Sequence, residues 1–454
     1  MNYQPMKVNL LTKIFVWSIA LEPMLYFMVS DPNLIGIGLH FSRILQIVVV
    51  FGFITRILLG NNYSIIIPKS GSIFVSVIFY LVSILVASLL GFFVFNAYPL
   101  IYTLAVHKRP FIELIMVLYT FIYFVSFSVY FLKNEEAIRY FFKITLLLFL
   151  LSFIFGICDL ILQHLLKSNG RFDLGYDLIT RHLGDPTNVG KRFHGFFGEP
   201  RDAFGALMLW VGLIYLKDYW LEVKKNRLIQ VTIIGIFGLA SISVSAFLSV
   251  FYSALLVFYY YFPRVNFFEK IKIFIIFVLI SLIMFGFSNV HRFTVYLDQM
   301  NVVTDFFLED RKLYSNFEQQ RVDIVPIKKR FDEIRESKFM PLIFGSGLGS
   351  SSFENNRYVP IVVGVSTWQP EVMNARSGGV RLFYEGGILG TFLFLYIFLS
   401  YLKKEKIKSK SIVISMLVLL ACYFAQKSYV PFIFLGALVA VVNSKKKSNK
   451  ILNE

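Results

Sequence analysis

Charge is what this chain has least of. Asp, Glu, Lys and Arg make up 16% of its 454 residues, against about 25% in an ordinary soluble domain, which is too few to cover a surface facing water. A soluble enzyme is excluded on that ground, and a disordered chain is excluded by 57% hydrophobic and 18% aromatic residues. Cysteine is almost absent too. Cys158 and Cys422 both lie in apolar stretches, so there is no disulfide framework and no cysteine-based zinc site, and packing is their default role. No cluster of His, Asp and Glu has metal-ligand spacing. No internal repeat is visible, which weighs against an inverted-repeat transporter.

What is present is a series of long apolar runs rich in Phe (51) and Tyr (25), with a mean hydropathy of +0.66. A bilayer core takes roughly 20 apolar residues per helix. On that measure the sequence predicts an all-α polytopic integral membrane protein with about twelve transmembrane helices, near 12–30, 35–59, 72–95, 111–132, 140–164, 201–216, 228–243, 245–262, 271–288, 379–402, 411–425 and 429–443. Ser241, Ser243 and Ser245 mark a tight hairpin turn between the seventh and eighth spans. The first span carries Glu22 and Pro23, lacks a small-residue cleavage site and is followed by further spans, so it reads as a retained helix and not a signal peptide.

The formal charge of +17 takes its meaning from where it sits. Lys217, Lys224, Lys225 and Arg227, then Lys403, Lys404, Lys406, Lys408 and Lys410, then Lys445, Lys446, Lys447 and Lys450 all fall on one side of the predicted spans, with Lys133, Arg139, Arg264 and Lys270. Positive charge in short loops marks the cytoplasm, so the excess is a topology signal and not a nucleic-acid footprint. The chain then divides into 1–164 (spans one to five), 165–200 (a first large outer loop), 201–288 (spans six to nine), 289–378 (a second large outer loop) and 379–454 (spans ten to twelve and a basic cytoplasmic tail). Neither large loop has linker composition, so function is expected on the outer face.

Three constellations carry chemistry. The first is Arg192, His194, Glu199, Pro200, Arg201 and Asp202, where the first large loop enters the sixth span. Pro200 suits a first helical turn. Arg192 and Arg201 suit bidentate binding of a pyrophosphate, and Glu199 or His194 suits the removal of a proton from a sugar hydroxyl. The alternative is that these charges are headgroup anchors. The second is Gly345, Gly347 and Gly349 followed by Ser350 to Ser352. Such a turn lets amides approach an anion, but no Lys-Ser or Lys-Thr pair follows to make it a nucleotide loop; it is either a tight turn that needs Gly for positive φ or a turn that shapes the substrate cleft. The third is Arg376, Ser377, Arg381 and Glu385 at the start of the tenth span, ahead of Gly387 and Gly390. Arg381 and Glu385 are four apart and share a helix face, so they pair with each other or line a polar cavity. The two glycines read as close helix packing. Glu22 and Arg43 are placed to pair across helices, as structural glue or as a transport element, and Arg56 is an inner-edge anchor.

These segments resemble the polytopic O-antigen polymerase and O-antigen ligase superfamily. The resemblance rests on RFHGFFGEPRDAFGALMLW, then SISVSAFLSVFY with RVDIVPIKKRFDEIRESKFMPLIFGSGLG, then RSGGVRLFYEGGILGTFLF, and covers roughly 165–400 in that order. It implies a GT-C-like helical architecture. It also implies a metal-independent, cofactor-free glycosyltransferase that joins undecaprenyl-diphosphate-linked oligosaccharide repeats at the outer face of the bacterial plasma membrane, making O-antigen, capsule or exopolysaccharide. Arg192, Glu199, Arg321 and the glycines of GSGLG match positions that the superfamily shares. Together with the residues chosen for their chemistry alone, this makes Glu199, Arg192 and Arg376 the expected catalytic set, with His194, Arg201, Arg321, Gly345, Gly347, Gly349, Arg381 and Glu385 in substrate binding; Arg376, His194, Arg201, Arg381 and Glu385 are not carried over from the resemblance. The ligase branch has a His where Arg376 stands, which speaks against ligase activity. The implied partners are the lipid-linked substrate, the bilayer, and a chain-length regulator and flippase of the same pathway. The rival of another class is a lipid-linked oligosaccharide flippase.

Overall fold

The computed structural model describes residues 8–24, 40–59, 71–98, 109–165, 193, 195–197, 200–223, 227–239, 249–250, 252–253, 255–256, 271, 318–351, 353–354, 377–404, 407, 409–425 and 428–453. Among these residues every regular element is a helix, and there is no strand. That follows from the apolar runs, because in hydrocarbon an amide has no water to bond and must be satisfied within its own helix. In chain order the helices are α1 (Leu10–Leu21), α2 (Phe41–Leu59), α3 (Gly71–Phe93), α4 (Arg109–Thr120, a π-helical stretch Phe121–Ser126, then Phe127–Phe131), α5 (Glu135–Leu165), α6 (Pro200–Trp220), α7 (Leu228–Leu239), α8 (Glu318–Arg335), α9 (Phe339–Phe344), α10 (Gly378–Lys404), α11 (Lys410–Ala425) and α12 (Val430–Asn453). Five of them, over Phe41–Leu59, Ile73–Phe93, Pro110–Phe131, Glu135–Cys158 and Gly378–Lys403, are long and apolar enough to cross a bilayer.

Several expectations come out differently. The first span is helical only to Leu21, because Pro23 has no N–H to donate. Glu22 N–H closes a shorter turn on the Ile19 carbonyl instead, at 3.3 Å. The turn at Ser241 to Ser245 and nearly all of spans eight and nine lie outside the described residues. In the second large loop the polar stretch RVDIVPIKKRFDEIRESKF, whose composition suits a surface helix, contributes most of α8, yet Lys328, Arg330 and Glu333 on it are buried. Of the two cysteines, Cys422 is buried as a packing residue and Cys158 is exposed.

Aromatic rings fill the centre. Phe15 stacks on Phe131 at 4.7 Å, Phe394 on Tyr423 at 4.8 Å, and Phe121 of the π-helical stretch meets Phe432 of α12 edge-on at 5.1 Å. Exposed apolar side chains lie on the outside, as a lipid-facing surface requires: Phe51, Phe79 and Leu89 are more than half open. Basic residues gather at one end. Arg227 makes a two-point ion pair with Asp218 at 2.8 and 2.9 Å. Lys445 reaches Glu222 at 3.0 Å and caps the Tyr219 ring, and Arg139 lies over Trp220. Arg56 and Lys133 share a cavity wall at the start of α1.

Candidate functional site

Apart from Asp218 in that basic belt, the described buried charges gather in two other places: at the end of α1 and start of α2, and around the start of α10 with Glu113 of α4. A charge at such depth costs several kcal/mol unless it is paired, so each must have found its partners.

The largest cluster is built on a break in α10. Gly387 has φ 65° and ψ −167°, which interrupts the helix and leaves the carbonyls before it without their usual amides. A turn from the second large loop supplies the missing donors. Helix α9 ends as Gly345 turns the chain at φ 86°, and Gly347 and Gly349 follow at 92° and 74°. The amide of Ser346 then donates to the Tyr384 carbonyl at 3.0 Å and that of Gly347 to the Glu385 carbonyl at 2.9 Å. On its other side the turn is held by α3 and the residues after it: Leu348 N–H donates to Ser88 Oγ at 3.1 Å and Tyr98 donates to the Leu348 carbonyl at 2.8 Å. A Cβ on Gly347 would meet the Ser88 backbone at 2.6 Å, and one on Gly387 would overlap the Gly345 amide. The expected positive-φ turn is therefore present. Two of its amides are engaged on protein carbonyls, which makes its part here that of joining loop to helix.

Side chains complete the junction. Arg381 lies 2.6 Å from Glu113 Oε1 on α4 and 3.0 Å from Glu385 Oε1, and Ser351 donates to the same Glu385 oxygen at 2.8 Å. The i,i+4 pair read from the sequence is thus formed, with a third member that the sequence did not disclose. Arg330 on α8 pairs with Glu333, donates to Ser346 Oγ at 2.8 Å and to the Tyr384 carbonyl at 2.5 Å, and lies 4.4 Å above the Tyr384 ring. Tyr384 reaches Glu354 at 3.4 Å. Lys328 pairs with Asp332 at 3.1 Å. The described charges are Lys328, Arg330 and Arg381 against Glu113, Asp332, Glu333, Glu354 and Glu385, three cations and five carboxylates. At the start of α10, Ser377 donates to the Phe424 carbonyl at 2.5 Å, fixing the helix beginning next to Arg376 in the chain.

A second cluster pairs Glu22 with Arg43 across helices. The Glu22 carboxylate takes Arg43 at 2.6 Å, Ser42 at 2.7 Å and Gln46 at 2.6 Å, while Tyr119 donates to Gln46. His40 Nε2 donates to the Met24 carbonyl at 2.6 Å. Arg43 stands over the rings of Tyr119 and Tyr429 at 5.3 and 5.6 Å. With three donors on one carboxylate, this set ties α1, α2 and α4 together.

Of the residues that the sequence singled out, Gly345, Gly347, Gly349, Arg381 and Glu385 meet at the junction. Arg201 and Arg321 occupy the first turns of α6 and α8. Arg192, His194, Glu199 and Arg376 lie outside the described residues. What the structure does describe is the aromatic residues among them in the sequence. Phe193 and Phe197 are fully buried, Phe193 against Phe153 and Phe237 and Phe197 against Phe149, and the Phe196 amide donates to Ser152 Oγ at 2.8 Å. Sequence reasoning passed over these aromatic anchors, although their spacing in RFHGFF was visible. Among the described residues no group of His, Cys, Asp and Glu is arranged to hold a metal ion.

The fold and the buried ionic junction define an all-helical, membrane-embedded protein with a loop docked into its helical body. No protein-family profile matches the chain, and no curated protein is found to be similar to it.

Proposed function

We propose that this protein is a polysaccharide polymerase: a glycosyltransferase with about twelve spans, embedded in the bacterial plasma membrane and acting at its outer face on undecaprenyl-diphosphate-linked repeats. The observation that carries most weight is the docking of the second loop. The GSGLG turn sits on the α10 break, beside the Arg381–Glu113–Glu385 triad. An outer loop bonded into the helical body through buried charges is what a loop that encloses a reaction site needs, and it is more than a topological connector needs.

In this reading the hydroxyl of the distal sugar on one lipid-linked unit attacks C1 of the growing chain on another. The new C1–O bond forms as the bond from C1 to the diphosphate oxygen breaks. Glu199 takes the hydroxyl proton, and undecaprenyl diphosphate leaves as the anion. Arg192 and Arg376 hold that diphosphate, with Arg201 and Arg321 near the same loops, because guanidinium groups match phosphate oxygens in pairs and keep their charge at any pH. The donor is already activated, so the chemistry requires no nucleotide. The carboxylate-rich junction at Arg381 is better suited to hydroxyls than to phosphate. It forms the sugar-facing wall in this reading, and His194 orients the acceptor.

Counting tests it. Protein in liposomes with one lipid-linked repeat should release one undecaprenyl diphosphate for each new glycosidic bond. Release without new bonds would mean hydrolysis, and movement across the bilayer without release would mean a flippase. A ligase would form product only when a lipid A core is added.

A further inference from the structure

At the end of the molecule far from the proposed reaction site lies a cavity of about 240 Å³, walled by α1, α2, the end of α4 and the start of α5. Arg56 and Lys133 line it, both exposed, with Asn9, Thr12, Asn134 and Glu136 as its other polar lining. Among the described residues no carboxylate pairs with Arg56 or Lys133; Lys133 lies over the Tyr130 ring at 5.4 Å. Asn9 uses its side-chain oxygen on the Thr12 amide at 2.7 Å, which leaves its NH₂ group as a donor. Apolar side chains flank the polar lining. Leu10 is 72% exposed, Leu58 72% and Leu59 82%, within three residues of Asn9 and Arg56 on the same two helices.

We infer that this cavity binds the phosphate-bearing headgroup of an anionic phospholipid, with its acyl chains along Leu10, Leu58 and Leu59. Two cations facing one cavity are matched by a phosphodiester. Glu136 leaves the charged lining at +1, which a headgroup of single negative charge neutralises and which suits an accepting partner for headgroup hydroxyls. The exposed leucines favour lipid over free phosphate, since a dissolved anion has no use for an adjoining apolar surface. A lipid held here would clamp α1 and α2 to the α4–α5 turn.

The full-length protein is reconstituted in phosphatidylcholine nanodiscs doped with phosphatidylglycerol, returned to detergent, and its retained phosphatidylglycerol counted by native mass spectrometry. Arg56→Gln/Lys133→Gln should lower retention roughly tenfold, while Arg139→Gln/Lys143→Gln, which removes the same charge from the exposed face of α5, should not. Arg56→Lys/Lys133→Arg should retain lipid, which separates loss of charge from loss of fold. Inorganic phosphate in excess should leave retention in the wild type unchanged. Equal retention in the two glutamine variants would overturn the site. Stripping of the lipid by phosphate would overturn the lipid assignment and make the cavity a free-anion site.

Discussion

The Gly347 amide donates to the Glu385 carbonyl at 2.9 Å across 38 positions of sequence (385 minus 347), closing the end of half a membrane helix with the turn that follows α9. The two partners depend on each other. Without the turn, the Glu385 carbonyl would lose the Gly347 amide and the Tyr384 carbonyl would keep only the Arg330 guanidinium as its donor from outside the helix, and without the break the turn would lose its acceptors.

Gly387→Ala should therefore destabilise the protein by about 1–3 kcal/mol, the cost of holding a residue with a Cβ in a backbone region that is essentially confined to glycine, and by more once the overlap with Gly345 is added. Gly386→Ala and Gly390→Ala should be tolerated, since a Cβ there meets nothing closer than 3.9 and 4.0 Å. Thermal midpoints in detergent check this. Equal loss in all three would mean that the break is not held by the turn.

Removing Arg381 alone takes from buried Glu113 and Glu385 the cation that both of them meet. Arg381→Met should cost about 3–5 kcal/mol, as breaking a buried pair does. Arg381→Met with Glu113→Gln and Glu385→Gln removes all three charges and should recover most of that loss. If the triple variant is no more stable than the single one, the three charges do not depend on one another.

The proposed orientation has a direct probe. Residues 346, 350 and 351 are buried, so a label on the second loop must go on an exposed position such as Glu336. In a protein lacking Cys158 and Cys422, Glu336→Cys should react with an impermeant thiol reagent on intact cells. Lys403→Cys should react only after permeabilisation, because lysine-rich loops stay cytoplasmic. The reverse pattern would invert the assignment.

Much of this was legible in the sequence. The apolar runs announce α2, α3 and α5; Arg381 and Glu385 announce their pair by spacing; Glu22 and Arg43 announce theirs by scarcity of charge. The three glycines announce positive φ. What was hidden depends on contacts between distant segments. Glu113 reads as a stray charge until α4 is laid beside α10. Gly387 reads as a helix-packing glycine, because only the arrival of Ser346 and Gly347 makes a break there tolerable. Helix α8 reads as a surface element because its composition is polar, and the burial of Arg330 follows from a carbonyl exposed 54 positions later (384 minus 330).

Within the proposed reaction, Glu199→Gln should lower turnover by a factor of about 100 or more while lipid-linked substrate still binds, because it removes a base and keeps size and polarity. Arg192→Lys should fall between wild type and Arg192→Ala, since an ammonium keeps the charge and loses the paired geometry. Activity is compared at matched protein level. Normal product from both Arg192 variants would remove that residue from the diphosphate clamp.

Chain length is the most direct measure of the polymerase assignment. Purified protein in liposomes, supplied with a single cognate lipid-linked repeat, a chelator and no nucleotide, should yield a ladder of longer lipid-linked chains on a gel. Folded protein that leaves the repeat at its starting length, with or without carrying it across the bilayer, would contradict the assignment.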